Sequence, residues 1–116
     1  MLFRSRIIPA REWSTLQRGL AQRVQALNMF IHDIYHDQHI VKAGLIPAEQ
    51  IYRNAQYRPE MQGIHVAENI YAHIAGVDIV RAGEGDFYVL EDNLRVPSGV
   101  SYMLEDRKMM MRLFPE

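Results

Sequence analysis

Two short runs rich in Val, Ile, Tyr and Phe flank the tetrapeptide Gly83-Glu84-Gly85-Asp86. This pairing restricts the fold more than any other feature. Turn residues between two strand-forming runs predict a β-hairpin, with strands over residues 70–81 and 87–93. Apolar residues on both faces predict a sheet that is covered on both sides. With Glu84-Gly85 at the centre of the turn, Gly83 opposes Asp86 and Asp78 opposes Glu91. Opposed residues of an antiparallel pair share a face, with Cβ atoms about 4.5–5.5 Å apart. Asn93, two residues beyond Glu91, lies on the same face. Like charges directly opposite each other are destabilising. A divalent cation converts that repulsion into coordination, and carboxylate and amide oxygens suit Mg²⁺ or Mn²⁺. The competing reading is a pair of solvated strand-end acids. A one-residue change in the turn sends Asp78 and Glu91 to opposite faces.

Beyond Asn93 the chain reads Leu94-Arg95-Val96-Pro97-Ser98-Gly99 and then enters a helix expected over residues 100–113. The first amides of a helix attract anions. Ser98 or Ser101 also suits a helix cap. Arg95 serves either a surface ion pair or a clamp on a phosphate or carboxylate.

Upstream, Trp13, Leu16, Leu20, Val24, Leu27, Ile31 and Ile34 recur at spacings of three and four. That stripe predicts one long helix over residues 10–37. Pro9 suits its first turn. Ser14 with Gln17 offers a capping box that starts the helix later. Gly44 marks the end of a helix over residues 39–43, and Pro47 opens a short one over 48–53. Residues 54–70 are broken by Asn54, Pro59 and Gly63, so they read as loop with a helical turn near Pro59–Gln62. The expectation is one α+β domain over residues 1–116: helical over 9–62, hairpin over 70–93, loop and helix over 94–114.

The composition narrows the function. Hydrophobic residues make up 48% and charged residues 23% of the 116. This is a globular balance, not a disordered one. Net charge is −1 with the two signs interspersed. This argues against nucleic acid and against a polybasic membrane patch. No apolar run reaches the ~20 residues that span a bilayer. Cysteine is absent, which excludes disulfides, thiolate zinc and a cysteine nucleophile, and agrees with a cytoplasmic protein. Lysine occurs only at positions 42 and 108, and no Gly-rich run ends in Lys-Ser or Lys-Thr. A complete site for nucleotide phosphates is therefore not expected within these residues.

Three histidines invite a separate reading. His32, His36 and His39 follow one another at i, i+4 and i+7. A His-x-x-x-His pair on a helix can bind zinc. A zinc protease of that type has Glu where Asp33 stands, so solvated surface histidines are the expectation. His65 and His73 carry no readable signal.

The spacing Glu91-x-Asn93-x-x-x-Pro97-x-Gly99 resembles the magnesium-binding strand and turn of ATP-grasp ligases, glutathione synthetases in particular. Gly76-Val77-Asp78 fits the Gly-x-Asp strand across the hairpin. The longer run from Asp86 to Tyr102, with Arg6–Ala10 and Arg23–Asn28, resembles the circularly permuted ATP-grasp family, which includes glutathionylspermidine-synthetase-like members. The resemblance implies ATP-dependent joining of a carboxylate to an amine. It implies that Asp78, Glu91 and Asn93 hold Mg²⁺ between the ATP phosphates and that Arg95 stabilises charge. It further implies that Ser98, Gly99 and Ser101 form a turn facing ATP or the acceptor substrate. Family members run to several hundred residues, so the chain is expected to be a fragment whose partner is the rest of an ATP-grasp chain. Alone it is expected to be inactive and to hold neither metal nor ATP tightly.

A non-catalytic interaction or oligomerisation module is the alternative. Met103, Met109, Met110 and Met111 give the last helix a soft, adaptable apolar surface. If its covering layer is missing, that surface drives self-association.

Overall fold

A computed structural model describes residues 7–83 and 85–115. They form an α+β chain with helices α1 (Ala10–Tyr35), α2 (His39–Lys42), α3 (Ala48–Tyr52) and α4 (Gly99–Leu113), and strands β1 (Gly76–Arg81) and β2 (Phe87–Asn93). Short 3₁₀ turns occupy Pro59–Met61 and Ala67–Asn69. The contacts separate two compact units. One is the continuous segment Gln17–Tyr71; the other joins the residues up to Leu16 with those from Ala72 onward.

The continuous unit is built on most of α1. Ile34 and Tyr35 from α1 and Ile51 from α3 form its buried centre, with Phe30, Ile31, Ile40, Val41, Ile46, Tyr57, Met61 and Tyr71 packed around them. Tyrosines make much of this core. Tyr35 stacks on Tyr57 at 5.2 Å and on Tyr71 at 6.3 Å, and Tyr52 meets Tyr57 edge-on at 5.3 Å. Buried phenols need partners. The Tyr35 hydroxyl accepts from Arg58 N at 3.1 Å, and the Tyr57 hydroxyl donates to Gln62 Oε1 at 2.6 Å. Burial pushes the Tyr57 and Tyr71 hydroxyls above their ordinary pKa.

The turns of this unit have identifiable causes. Helix α2 ends at Lys42 with Ala43 as its C-cap, and Gly44 follows with φ +70°. Gly44 N donates to Val41 O at 2.9 Å and Leu45 N to Ile40 O at 3.1 Å. This is the paired bonding of a Schellman ending, which favours glycine at the left-handed position. At its other end α2 is capped from a distance. Asp33 on α1 accepts from His39 N and Ile40 N, both at 2.9 Å, so its carboxylate satisfies the first two free amides of α2. Burial raises the Asp33 pKa, but the bonds from Ile40 N, His39 N and the His39 ring outweigh it and leave the carboxyl below its ordinary value.

In the discontinuous unit β1 and β2 pair antiparallel. Arg81, at the end of β1, lies over the ring of its cross-strand partner Phe87 at 5.2 Å and forms an ion pair with Glu12 in the first turn of α1. Val77, Ile79, Phe87 and Val89 share one half-buried face, while Val80 and Tyr88 on the other are exposed. The sheet expected to be covered on both sides therefore has an open face in this chain.

Several boundaries differ from the sequence reading. Helix α1 starts at Ala10, with Trp13 N donating to Pro9 O at 2.9 Å. The Ser14 hydroxyl donates back to Ala10 O instead of closing a capping box. Strand β1 begins at Gly76, not Ile70. Gly76 already pairs with Asn93, the last residue of β2, so among the described residues the segment 70–75 finds no strand to pair with. Tyr71 is instead committed to α1: its N–H donates to Asn28 Oδ1 at 2.8 Å and its hydroxyl meets His32 Nδ1 at 3.0 Å.

Candidate metal centre

The centre lies at the end of the hairpin far from its turn. Asp78 is paired with Glu91, and Gly76 with Asn93. These four residues share one face, as the sequence reading required. Asp78 and Glu91 are exposed and Asn93 is half-buried. Asn93 Nδ2 donates to Glu91 Oε1 at 2.9 Å. That bond leaves the Asn93 carbonyl oxygen as an acceptor beside the two carboxylates.

The pairing arises in a different way from the one expected. The ladder closes with Ala82 N donating to Asp86 O at 3.0 Å. Positions 83–85 stand between these two residues, and Gly85 has φ +83°. The expected two-residue turn on Glu84-Gly85 falls partly outside the described residues. Near the turn Arg81 pairs with Phe87, Val80 with Tyr88 and Ile79 with Val89. Extended unchanged, that register puts Leu90 opposite Asp78 and turns Glu91 to the other face. A bulge between Asp78 and Ile79 on the pairing ladder skips Leu90 and restores Glu91 as the partner of Asp78. Leu90, the unpaired residue, is exposed.

Asp92 pairs with Val77 on the opposite face, so it does not join the carboxylate pair. Among the described residues no group of three or more His, Cys, Asp or Glu side chains is placed to hold a metal. The oxygen-bearing side chains on this face are thus two carboxylates and one amide. This donor set fits Mg²⁺, which keeps several water or phosphate ligands and takes one or two carboxylates from protein. A closed structural site would need more.

The remaining predicted residues follow Asn93 directly. Arg95 is exposed and, among the described residues, forms no ion pair. Ser98 occupies the N-cap position of α4, yet its side chain makes no capping bond. Ser101 Oγ donates to Ser98 O at 3.1 Å. Its hydroxyl is therefore tied into the first helical turn. Gly99 opens α4, one residue earlier than expected.

Sequence reasoning passed over the packing of Gly76. A Cβ placed on this glycine would stand 2.8 Å from Pro97 Cβ and 3.5 Å from Asn93 Cβ. The Gly-x-Asp spacing carried that signal, but without the distance that explains it.

The histidines do not form a metal site. His32 and His36 stack at 4.1 Å, and His65 lies 4.7 Å from His36. His32 Nδ1 faces Tyr71 Oη, His36 Nδ1 faces His32 O at 2.9 Å, and His39 Nδ1 meets Asp33 Oδ1 at 3.0 Å. These rings serve packing and local hydrogen bonding within the Gln17–Tyr71 unit. Among the described residues no helix is long and apolar enough to cross a membrane.

Comparison with known proteins adds a second line of observation. A family model described as a circularly permuted ATP-grasp matches residues 5–116. An uncharacterised protein of Synechocystis sp. is 47% identical over 111 residues, covering 96% of this chain and 23% of that protein. An uncharacterised protein of Mycobacterium leprae is 47% identical over 110 residues, covering 95% of this chain and 20% of its own length. A Frankia casuarinae protein named "Putative glutamate--cysteine ligase 2-2" is 43% identical over 111 residues, covering 96% of this chain and 13% of its own. The chain therefore spans a quarter or less of the length of these curated relatives.

Proposed function

Because the chain belongs to the circularly permuted ATP-grasp family, we propose that it contributes the magnesium ligands of an ATP-dependent carboxylate–amine ligase. The observation that carries this reading is the cross-strand pairing of Asp78 with Glu91, joined by Asn93 through its bond to Glu91. The pair concentrates negative charge on an open face, and a bound Mg²⁺ or Mn²⁺ offsets charge on the ATP phosphates as the phosphoryl group moves.

Each residue then has a task. Asp78 and Glu91 supply carboxylate oxygens and Asn93 an amide oxygen. The Asn93–Glu91 bond fixes the direction of both side chains before the ion arrives, which lowers the cost of ordering them on binding. Arg95 stabilises developing negative charge on the transferring phosphate or on the carboxylate. The segment Ser98-Gly99, with Ser101 behind it, borders the site for ATP and the acceptor. In this reaction class the carboxylate receives the γ-phosphoryl group of ATP. The amine then attacks the acyl carbon, forming the C–N bond as the C–O bond to phosphate breaks, and a proton leaves the nitrogen. Names of relatives such as the Frankia protein support amino-acid-like substrates.

The chain by itself is inactive in ligation on this reading. Its two lysines lie away from the hairpin in sequence, and Lys108 is engaged with Glu105. The rest of a longer ATP-grasp polypeptide provides the grip on the nucleotide.

Mn²⁺ titration of the chain, followed by electron paramagnetic resonance, tests the proposal. Weak binding that Asp78→Ala and Glu91→Ala each remove is the expected result. Binding that both variants leave intact would sink it. In a longer ligase that contains this hairpin, the same two substitutions are expected to abolish turnover.

A second reading has one observation in its favour. Helix α4 buries none of its side chains, and Tyr102, Met103, Leu104, Met109, Met110, Met111 and Leu113 are all exposed. Such a surface suits an interaction or self-association module. Stable dimers in sedimentation, together with no response to Mn²⁺, favour that module over the ligase part.

A further inference from the structure

The geometry points to Gly76 as a positioning residue: its missing side chain lets Pro97 seat against β1 and so fixes the Arg95–Gly99 segment beside the carboxylate pair. The inference rests on the ligase reading for its functional meaning, but its structural content is independent of it. The φ of Gly76 lies outside the left-handed region. Backbone freedom is therefore not the reason for a glycine here. Space is the reason. A Cβ would stand 2.8 Å from Pro97 Cβ and 3.8 Å from Pro97 Cα, whereas carbon atoms settle about 3.5–4.0 Å apart. Both atoms belong to a residue whose ring locks its backbone, so Pro97 has no rotamer with which to yield. The whole segment has to move.

That movement reaches the metal ligands by a short path. Gly76 is the cross-strand partner of Asn93, and the same added Cβ would stand 3.5 Å from Asn93 Cβ. Asn93 in turn holds Glu91 through its 2.9 Å bond. Only Leu94, Arg95 and Val96 separate Asn93 from Pro97. Gly76 thus sits at the root of a closed loop whose two ends, Asn93 and Pro97, both rest on it. Filling that root displaces Pro97 directly, while Asn93, at ordinary contact distance from the added Cβ, feels the change through the three residues that join it to Pro97. Gly76 touches neither ion nor substrate, so its effect passes through these two residues, as supporting contacts around metal ligands do.

A double-mutant cycle tests this on the chain as it stands, using Gly76→Ala, Pro97→Gly and the two combined. The readouts are Mn²⁺ affinity and the side-chain amide resonance of Asn93 in ¹⁵N-correlated spectra. Gly76→Ala is expected to weaken Mn²⁺ by on the order of tenfold, the low end of the effect of losing a supporting contact, and to shift the Asn93 amide signal. Pro97→Gly removes the clashing Cβ, so the combined variant recovers both readouts relative to Gly76→Ala alone. If Gly76→Ala binds Mn²⁺ and shows the Asn93 signal as the wild type does, the clamp is wrong. If Gly76→Ala does not fold, recovery of folding in the combined variant supports the clamp, and failure of both alike overturns it. A wild type that ignores Mn²⁺ while the Asn93 signal still follows the cycle refutes the metal reading and leaves the clamp standing.

Discussion

Asp78 and Glu91 are cross-strand partners only because Leu90 is skipped in the ladder. The three-residue loop after Ala82 shifts the register by one, and the bulge shifts it back. Two local departures from a regular hairpin cancel at the position where the acids meet.

The bulge makes the first prediction. Deleting Leu90 leaves Val89 opposite Ile79 and brings Glu91 next in line, opposite Asp78. The ladder becomes regular while the acid pair is kept. The deletion variant should retain its Mn²⁺ response, measured by the same titration as the parent. A lost response in a folded variant would mean that the local twist of the bulge, and not only the pairing, is needed.

Repulsion between the acids gives a second. In metal-free buffer Asp78→Asn or Glu91→Gln removes a like-charge pair from directly opposed positions. Each should raise the unfolding free energy by roughly 0.2–1 kcal/mol, the span of such cross-strand terms. Added Mn²⁺ should then stabilise the wild type and leave either variant unchanged. Thermal melts with and without the ion check both halves.

Asp33 supplies a third, in acid. Its carboxylate caps α2 through His39 N and Ile40 N, and its side chain is 20% exposed. Asp33→Ala should cost about 1 kcal/mol, as loss of a helix cap does. The folded pKa is depressed below the ordinary value. The stabilisation is therefore full above the unfolded pKa of about 3.9 and is lost as the pH falls through the lower folded value. Denaturant melts from pH 6 downward should show the wild type losing stability below about pH 4 more steeply than Asp33→Asn.

Helix α4 supplies a fourth. It has fifteen residues and no buried side chain, and isolated helices of about this length are marginal in water. Its amides should exchange hydrogen fastest among the helices. Those around Ile34, Tyr35 and Ile51 should exchange slowest, since local opening there exposes the core. Exchange followed by mass spectrometry after proteolysis ranks the two.

Local chemistry made much of this legible in the sequence. The 3.6-residue stripe located α1, Gly44 and Pro47 bounded the short helices, and Val, Ile and Tyr around a glycine turn located the hairpin. The acid pair was legible too, although the pairing beside the turn runs one residue off the expected register and the bulge that restores it was not foreseen. What stayed hidden depends on residues distant in sequence. The strand start at Gly76 is set by where β2 ends and by the bond of Tyr71 to Asn28. Asp33 read as a neighbour of histidines until the fold brought it under α2. The need for glycine at position 76 comes from Pro97, twenty-one positions on, and no local propensity encodes it.

The division of the chain has a consequence for the order of its synthesis. The segment Gln17–Tyr71 is continuous, so every tyrosine of its stack has emerged once Tyr71 leaves the ribosome. The other unit joins Glu12 to Arg81 across most of the polypeptide. Closing so long a loop is slow compared with local contacts. The contact of Glu12 with Arg81, and not the local pairing of the hairpin itself, is therefore the late-forming part of that unit.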